Sequence, residues 1–397
     1  MQETQNNMTS DQYDVVVIGG GPVGMALSLA LQGSGVSSLL LEARGIPEKV
    51  DDPRPLALSY GSHLILRRLG AWGLLSQHTP ITTIHISNRG NFGKTTITPQ
   101  DAGVPTLGFV VNYHDLFHAM HKNLTVSDTH YLPGAAVNKL ETFDDSGTVY
   151  FSHQNDEKKV SAKLLVLADG GQLAKQLPEI QYHTYDYQQW AVVANVQADK
   201  KQTGIAYERF TSDGPVALLP NQQDFALVWT VAPEIAEEII QLNDKNFLSH
   251  LQQHFGGRLG KLIGASKRSA FPLTLKYANP VITHRVALVG NAAQTLHPVA
   301  GQGFNLGLRD AYELANEIIR SYAQGSEIGT SVMLSRYRQK RGMDSSAGRV
   351  FTDSLVKLFS NKHILLQQAS GFGLSTLDCL PPLKRFVARR MIFGARG

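Results

Sequence analysis

Residues 289–307 read Val289-Gly290-Asn291-Ala292-Ala293-Gln294-Thr295-Leu296-His297-Pro298-Val299-Ala300-Gly301-Gln302-Gly303-Phe304-Asn305-Leu306-Gly307. The apolar run Arg285-Val286-Ala287-Leu288-Val289 feeds directly into Gly290, which is the pattern of a buried strand ending in a turn. A helical pattern then begins near Gly303-Phe304-Asn305 and continues through Ala311, Leu314, Ala315 and Ile318. The same order occurs near the other end of the chain, where the apolar run Tyr13 to Ile18 leads into a glycine-rich turn and a helix predicted from Val23 to Gly33. Two strand-to-helix turns of this kind place two helix N-termini against one ligand, held from both ends of the sequence.

The first turn, Gly19-Gly20-Gly21-Pro22-Val23-Gly24, satisfies the G-x-G-x-x-G spacing in the strand-to-helix setting that gives the motif its meaning. Gly19 allows the tight turn, Gly21 lets the backbone approach a pyrophosphate, and Gly24 lets the helix pack closely on the strand. Glu42 closes the next apolar strand, Ser38 to Glu42, near the ~20-residue spacing expected of a carboxylate that accepts hydrogen bonds from ribose hydroxyls. It would repel a phosphorylated ribose, so the resident nucleotide is expected to be FAD or NAD rather than NADP. A third apolar strand, Leu164 to Ala168, exits into Asp169-Gly170, at the strand end where open α/β sheets bind ligands. Free N–H groups at the second helix N-terminus suit the negative charge that a reduced isoalloxazine carries around N1 and the C2 carbonyl. That role accounts for Gly301 and Gly303, with Pro298 stiffening the preceding turn. Gln302 and Asn305 in the same segment, and Gly290 and Asn291 at the strand exit, are further candidates for cofactor contact.

Between these motifs the chain changes character. From Asp51 a loop rich in proline and charge contains Arg54, which either reaches the cofactor's phosphates or flavin edge or stands free on the surface. The loop is expected to become a helix through about Leu69. Residues 81–104 break into short strand-like pieces, and Tyr182 to Phe271 alternates as an antiparallel sheet with a helix from Asp244 to Phe255. The expected fold class is α/β: a Rossmann-like FAD-binding domain with an inserted antiparallel β-sheet substrate domain and C-terminal helices. Residues 12–76, 108–178 and 276–343 are expected to build the FAD-binding domain, 77–107 and 179–275 the substrate domain, and 344–397 the C-terminal helical region.

Composition narrows the function classes. Glycine numbers 36, against about 28 expected at the usual share of roughly 7%, consistent with loops that approach a cofactor closely. A single cysteine, Cys379, excludes both an intramolecular disulfide and a Cys-x-x-Cys redox centre. The formal charge of +4 is too small for a nucleic-acid-binding composition. Met1 to Asp11 carries no secretory pattern and no run of about 18 apolar residues occurs, so the protein is expected in the cytoplasm. The tail Leu383 to Arg396 interleaves basic and large apolar residues, either as a helix lying on an anionic bilayer or partner, or as one packed on its own domain. The first alternative implies peripheral contact at the inner membrane.

His114, His118 and His121 fall at i, i+4 and i+7 on a predicted helix from Asp115 to Leu124. No Asp, Glu or Cys set completes a ligand pattern around them, so no metal is expected; a histidine-bearing face beside a nucleotide is the simpler reading, with His121 touching the cofactor. Neither a Gly-x-Ser-x-Gly elbow nor a His-Glu-x-x-His helix is present, and no side-chain nucleophile is expected. His297 either faces the substrate side of the flavin or caps its own turn.

The three motifs together resemble the class A flavoprotein monooxygenases, whose archetype is para-hydroxybenzoate hydroxylase. Arg54-x-x-Ala57-Leu58-Ser59, Phe210-x-x-x-Gly214-Pro215-x-Ala217-x-Leu219-Pro220, Lys267-Arg268-Ser269-Ala270-x-Pro272-Leu273 and Gly301-Gln302-Gly303-x-Asn305-Leu306-Gly307-x-Arg309-Asp310 are similar to the ubiquinone-biosynthesis flavin hydroxylases along nearly the whole chain. Asn291 with Gln294 and His297 resembles the branch that hydroxylates 2-polyprenyl-6-methoxyphenol at C4. The resemblance implies FAD as resident cofactor, NADPH or NADH as transient reductant, O2 as cosubstrate, and delivery of oxygen activated at flavin C4a to an electron-rich phenol. It further implies a polyprenylated phenol as substrate and other ubiquinone-biosynthesis proteins as partners. The chain departs from the family twice. Asn291 stands where aspartate is usual, and Gly171-Gln172-Leu173-Ala174-Lys175 follows Asp169-Gly170 where serine and arginine are common, which leaves the docking of the nicotinamide open. Two other classes remain: a flavin-binding assembly component with vestigial activity, and a dehydrogenase or reductase of an isoprenoid lipid.

Overall fold

The computed structural model describes residues 12–45, 52, 54–89, 92–200, 202–359 and 364–394. Met1 to Asp11, Asp51, Pro53 and the last three residues of the tail lie outside the described residues.

Strand β1 (Gln12–Ile18) has Val15, Val16 and Val17 wholly buried, because both faces of its sheet are covered; its apolar run is therefore continuous rather than alternating. Helix α1 (Pro22–Leu31) follows, with proline in its first turn where the missing N–H costs nothing. Strand β2 (Ser38–Glu42) then pairs with β1 in parallel. Next come β3 (Pro55–Ser59) and α2 (Tyr60–Arg68). The charged loop does not pass directly into helix: Leu56, Ala57 and Leu58 pair with Val111, Val110 and Phe109, and Leu58 is buried in the core beside Leu66. The helix starts only where Ser59 can cap it, its hydroxyl accepting the Ser62 N–H at 3.2 Å.

Strand β4 (Thr83–Asn88) leads away, and β5 (Gly108–Asn112), α3 (Tyr113–Thr125) and β6 (His130–Pro133) lead back. After a hairpin comes β7 (Asp156–Leu167). The long β8 (Gln181–Ala198), β9 (Ile205–Phe210), β10 (Val216–Asn221), β11 (Asp224–Val231), α4 (Pro233–Gln241), α5 (Asp244–Phe255) and β12 (Ser269–Asn279) form the second layer system. Strand β13 (Val286–Leu288) returns, and α6 (Gln302–Ala323), α7 (Ser331–Phe359), α8 (Ile364–Cys379) and α9 (Pro381–Phe393) close the described chain.

Five strands of the first sheet, in the order β13–β7–β1–β2–β6, pair in parallel, with Ile282–Thr283 and a hairpin added antiparallel. The carboxyl ends of four of these strands thus open side by side onto Gly19, Glu42, Ala168-Asp169 and Val289-Gly290, the ligand position of an open α/β sheet. The second sheet runs β12–β8–β11–β10–β9–β4, antiparallel except for the β9–β4 pair. Its two faces follow from strict alternation. Tyr207, Val216, Leu218, Phe225, Leu227 and Trp229 pack on α4 and α5, while the intervening residues point the other way.

Helix α6 carries buried Leu308, Ala311, Leu314, Ala315 and Ile318 against the first sheet's core. Ion pairs then fix α7 to it: the buried pairs Arg309 to Asp344 at 2.9 Å and Arg341 to Asp310 at 2.7 Å, and Arg336, partly exposed, to buried Glu317 at 3.0 Å; within α7 Arg341 also pairs with Asp344. Charges taken out of water in this way persist only when they are mutually paired.

Candidate active site

The turn after β1 is set by contact rather than by charge. A Cβ on Gly24 would lie 1.9 Å from the Gly19 carbonyl oxygen, so only glycine lets α1 sit against the strand exit. A Cβ on Gly21, in contrast, would meet nothing within 4 Å, because Gly21 faces an open cavity. The Glu42 carboxylate ties the turn to β2: Gly20 N–H donates to it at 2.7 Å and Arg44 N–H at 2.9 Å. Asp169 likewise holds its own loop, one oxygen accepting from Gly171 N–H at 2.9 Å and the other from Leu173 N–H at 2.8 Å. Gly170 and Asn291 line the cavity beside it.

Opposite, Pro298 and a short turn at Val299–Gly301 lead into α6. Gly301 adopts φ 61°, a left-handed conformation, and a side chain there would also crowd the Ala57 Cβ at 2.9 Å. No side-chain cap covers the start of α6, and Gly303 and Phe304 line the cavity there, so first-turn N–H groups and the positive end of a 22-residue helix are directed at it.

One cavity of about 1190 Å³ joins these parts. Its nucleotide end is lined by Gly19, Gly21, Glu42, Arg54, Asp169 and Gly290. Its other end is an apolar chamber walled by the front face of the second sheet and by Leu374, Leu377, Val387 and Met391 of α8 and α9. The volume exceeds the roughly 300–1,000 Å³ of ordinary ligand pockets, leaving space for a dinucleotide and a second molecule.

Arg54 is held at the nucleotide end. Its Nε donates to Asp52 at 2.8 Å, and its guanidinium lies 5.6 Å from the Tyr113 ring and 5.8 Å from that of Phe271 in β12. Arg54 therefore both lines the cavity and keeps about half of its side chain open to solvent.

Four expected contacts are placed elsewhere. His121 lies about 12 Å along α3 from Tyr113, the α3 residue that lines the cavity. It stacks on Phe117 and meets Tyr131 edge-on, outside the cavity lining. Gln302 turns its amide toward the Met391 carbonyl at 3.4 Å. Asn305 is a clip: its carbonyl accepts from Ser59 N–H at 2.9 Å and Ser62 Oγ at 2.6 Å, and its amide donates to the Ala57 and Gly301 carbonyls at 2.9 and 2.6 Å. His297 is fully buried behind the cavity wall, Nδ1 accepting from Val299 N–H at 3.2 Å and the ring edge-on to Tyr187. Burial pushes its pKa down to about 4, so it is neutral and holds the turn. Among the described residues no group of three or more His, Cys, Asp and Glu is placed to share a metal ion.

Sequence reasoning missed Tyr113, the α8–α9 wall and Glu208. Glu208 sits in β9 between Ala206 and Phe210, all three lining the chamber. The signal was the alternation Ala206-x-Glu208-x-Phe210, legible only once the inward face of β9 is known.

A family model described as an FAD binding domain matches residues 12–344. The chain belongs to this family. The open cradle at Gly21, the oriented Glu42 carboxylate and the uncapped start of α6 fit FAD, which is the resident cofactor. The chain is 32% identical to a ubiquinone hydroxylase, UbiL, of Rhodospirillum rubrum, over 95% of this chain and 88% of that one. It is 28% identical to the 3-demethoxyubiquinol 3-hydroxylase of Escherichia coli, over 95% and 98%. The fold is similar to that of the p-nitrophenol 4-monooxygenase PnpA of Pseudomonas putida, with a TM-score of 0.79 at 17% identity, covering 98% of this chain and 100% of the other.

Proposed function

We propose that this protein is an FAD- and O2-dependent aromatic monooxygenase of ubiquinone biosynthesis that hydroxylates a polyprenylated phenol, 2-polyprenyl-6-methoxyphenol, at C4. The observation that carries the reading is the single cavity in which a nucleotide cradle opens into an apolar chamber. Bound FAD supplies two-electron acceptance from NAD(P)H and the activation of O2. The chain supplies the rest. The α1 N-terminus and Gly21 receive the pyrophosphate, Glu42 the ribose hydroxyls, and the α6 N-terminus the electron-rich pyrimidine edge of the flavin. The sheet face and α8–α9 hold the phenol ring close and keep water out, which prevents loss of the activated oxygen as peroxide.

The relatives' names, ubiquinone hydroxylase and 3-demethoxyubiquinol 3-hydroxylase, support the pathway and the substrate class. The Asn291, Gln294 and His297 pattern supports C4, and the second reading is another ring position of the same pathway. Exposed Leu380, Leu383 and Phe386, with the exposed Arg385 and Arg389 beside them, suit α9 to the surface of an anionic bilayer, from which a prenyl tail can pass to the Val387 and Met391 wall. Among the described residues no helix is long and apolar enough to cross a membrane.

The test is turnover of the FAD-loaded protein with NADPH or NADH, a short-chain 2-prenyl-6-methoxyphenol and isotopically labelled O2. Label at ring C4 is expected. Label at another carbon selects the second reading; FAD bound without NAD(P)H consumption or labelled product refutes both and favours the assembly-component alternative. Deleting residues 383–397 is expected to weaken binding to anionic vesicles without loss of FAD.

A further inference from the structure

Among the described residues, Glu208 is the one charged residue on the chamber's sheet face. Across β9 it is in register with Ile86 of β4 on one side and Ala217 of β10 on the other, and Ala217 is in register with Val228 of β11. The carboxylate is thus set in the middle of an apolar face. Its sequence neighbour Arg209 cannot reach it, because alternation points the two side chains to opposite faces of the sheet. Among the described residues Glu208 has no hydrogen bond and no ion pair, and burial alone pushes its carboxyl up to about 7. The walls facing it, Phe351, Leu374, Leu377, Val387 and Met391, bring no titratable group. The cavity's other carboxylates and its two arginines-with-partners, Arg44 on Glu42 and Arg54 on Asp52, belong to the nucleotide end.

An unpartnered carboxylate in such a place costs stability unless a ligand completes it. Resting on the hydroxylase reading, we propose that Glu208 is the catalytic residue that accepts the hydroxyl proton of the bound phenol. The proton passes from the phenol oxygen to the carboxylate as a ring carbon takes up one oxygen atom of O2, leaving a ring carbonyl. That carbon then loses its hydrogen as a proton, the ring regains aromaticity, and Glu208 returns its proton to the phenol oxygen. The second oxygen atom leaves as water with the two electrons drawn from NAD(P)H, and the carboxylate ends as it began. A ring deprotonated in step with attack is a far stronger nucleophile than a neutral phenol, whose own pKa lies near 10.

The test compares the FAD-loaded full chain with Glu208→Gln and Glu208→Asp. Glutamine keeps a hydrogen-bond acceptor but takes no proton. Single-turnover hydroxylation by the parent is expected to rise with pH and level off once the carboxylate is ionised. Glu208→Gln is expected to fall by at least ~100-fold and to rise only toward the phenol's own ionisation, with partial rescue by Glu208→Asp. A second measurement needs no turnover: 4-nitrophenol is titrated, without O2, on the oxidised FAD-loaded proteins and its phenolate absorbance read against pH. The neighbouring carboxylate should hold the bound probe neutral, and Glu208→Gln should lower its pKa by a unit or more. An identical probe pKa, or an unchanged rate profile in Glu208→Gln, overturns the assignment. A shifted probe pKa in a protein that never hydroxylates a phenol overturns the hydroxylase reading and leaves the Glu208–phenol contact standing.

Discussion

Gly21→Ala and Gly24→Ala separate the two things that glycines do at a nucleotide cradle. At Gly24 the added methyl would lie 1.9 Å from the Gly19 carbonyl oxygen and 3.4 Å from the Ala168 Cβ. A carbon–oxygen contact needs roughly 3.3 Å, so α1 must withdraw from the strand exit by about 1.4 Å. Forced overpacking of this kind costs about 1–3 kcal/mol, and it displaces the N–H groups that receive the pyrophosphate. At Gly21 the methyl would touch no protein atom, and φ −70° suits alanine. The only loss to the cofactor-free protein is the weaker helix cap, about 1 kcal/mol or less. The cavity-side methyl nevertheless stands where the pyrophosphate must approach. Thermal melts of the cofactor-free proteins and FAD titrations followed by fluorescence quenching are expected to diverge. Gly24→Ala should lower both stability and FAD affinity, whereas Gly21→Ala should leave the melt nearly unchanged and raise the FAD Kd 10-fold or more, about 1.4 kcal/mol. An unaltered FAD Kd in Gly21→Ala would refute the placement of the pyrophosphate at this turn.

Asn305→Ala removes an acceptor and a donor that together serve four partners in β3, α2 and the α6 turn; at about 1 kcal/mol per bond a loss of ~4 kcal/mol is expected in urea unfolding. Arg341→Met strands Asp310 in the α6–α7 interface while Asp344 keeps Arg309; breaking a buried pair of this kind costs about 3–5 kcal/mol, so a clear loss of stability by thermal melt is expected. His297 binds its proton more weakly folded than unfolded, so the unfolded state takes up more protons as pH falls. Its stabilisation is complete above its ordinary pKa of 6.5 and is lost as pH falls through about 4, with ~3 kcal/mol as the upper bound; unfolding measured from pH 7 to 4 should be flatter in His297→Gln.

The sequence showed the parts of the site that depend on local backbone. Gly19-x-Gly21-x-x-Gly24, Asp169-Gly170 and Gly290-Asn291 each sit at a strand exit, and a strand exit is visible as an apolar run meeting glycine. Parallel pairing then brings those exits together without further instruction from side chains. The residues that were misplaced depend on tertiary direction. Asn305 and Gln302 lie in the right segment, but helical rotation turns them from the cavity toward β3 and α9. His121 shares a helix with the cavity residue Tyr113, two turns away. The Pro55–Ser59 strand was unreadable because its pairing partner, Gly108–Asn112, is remote in sequence. Glu208 was invisible for the same reason: only the register with Ile86 and Ala217 shows which way its face points.

The distribution of charge along the cavity explains why one chain needs two such different walls. At the nucleotide end every ionised side chain already has a partner or a loop to hold, so attraction for the cofactor falls to backbone N–H groups and helix ends, which are fixed before the ligand arrives and need no reorganisation. At the chamber end the sheet face and the C-terminal helices exclude water, and exclusion strengthens whatever electrostatics remain. An unpaired carboxylate is costly there, and the cost is tolerable only because the well-packed core behind the sheet, with Trp229, Phe225 and Phe247 fully buried, supplies stability that the front face does not. The dry wall and the lone acid are therefore coupled. Opening the wall would rehydrate Glu208 and bring its pKa back toward that of an ordinary glutamate, weakening it as a proton acceptor at the same time as it exposed the activated oxygen to water.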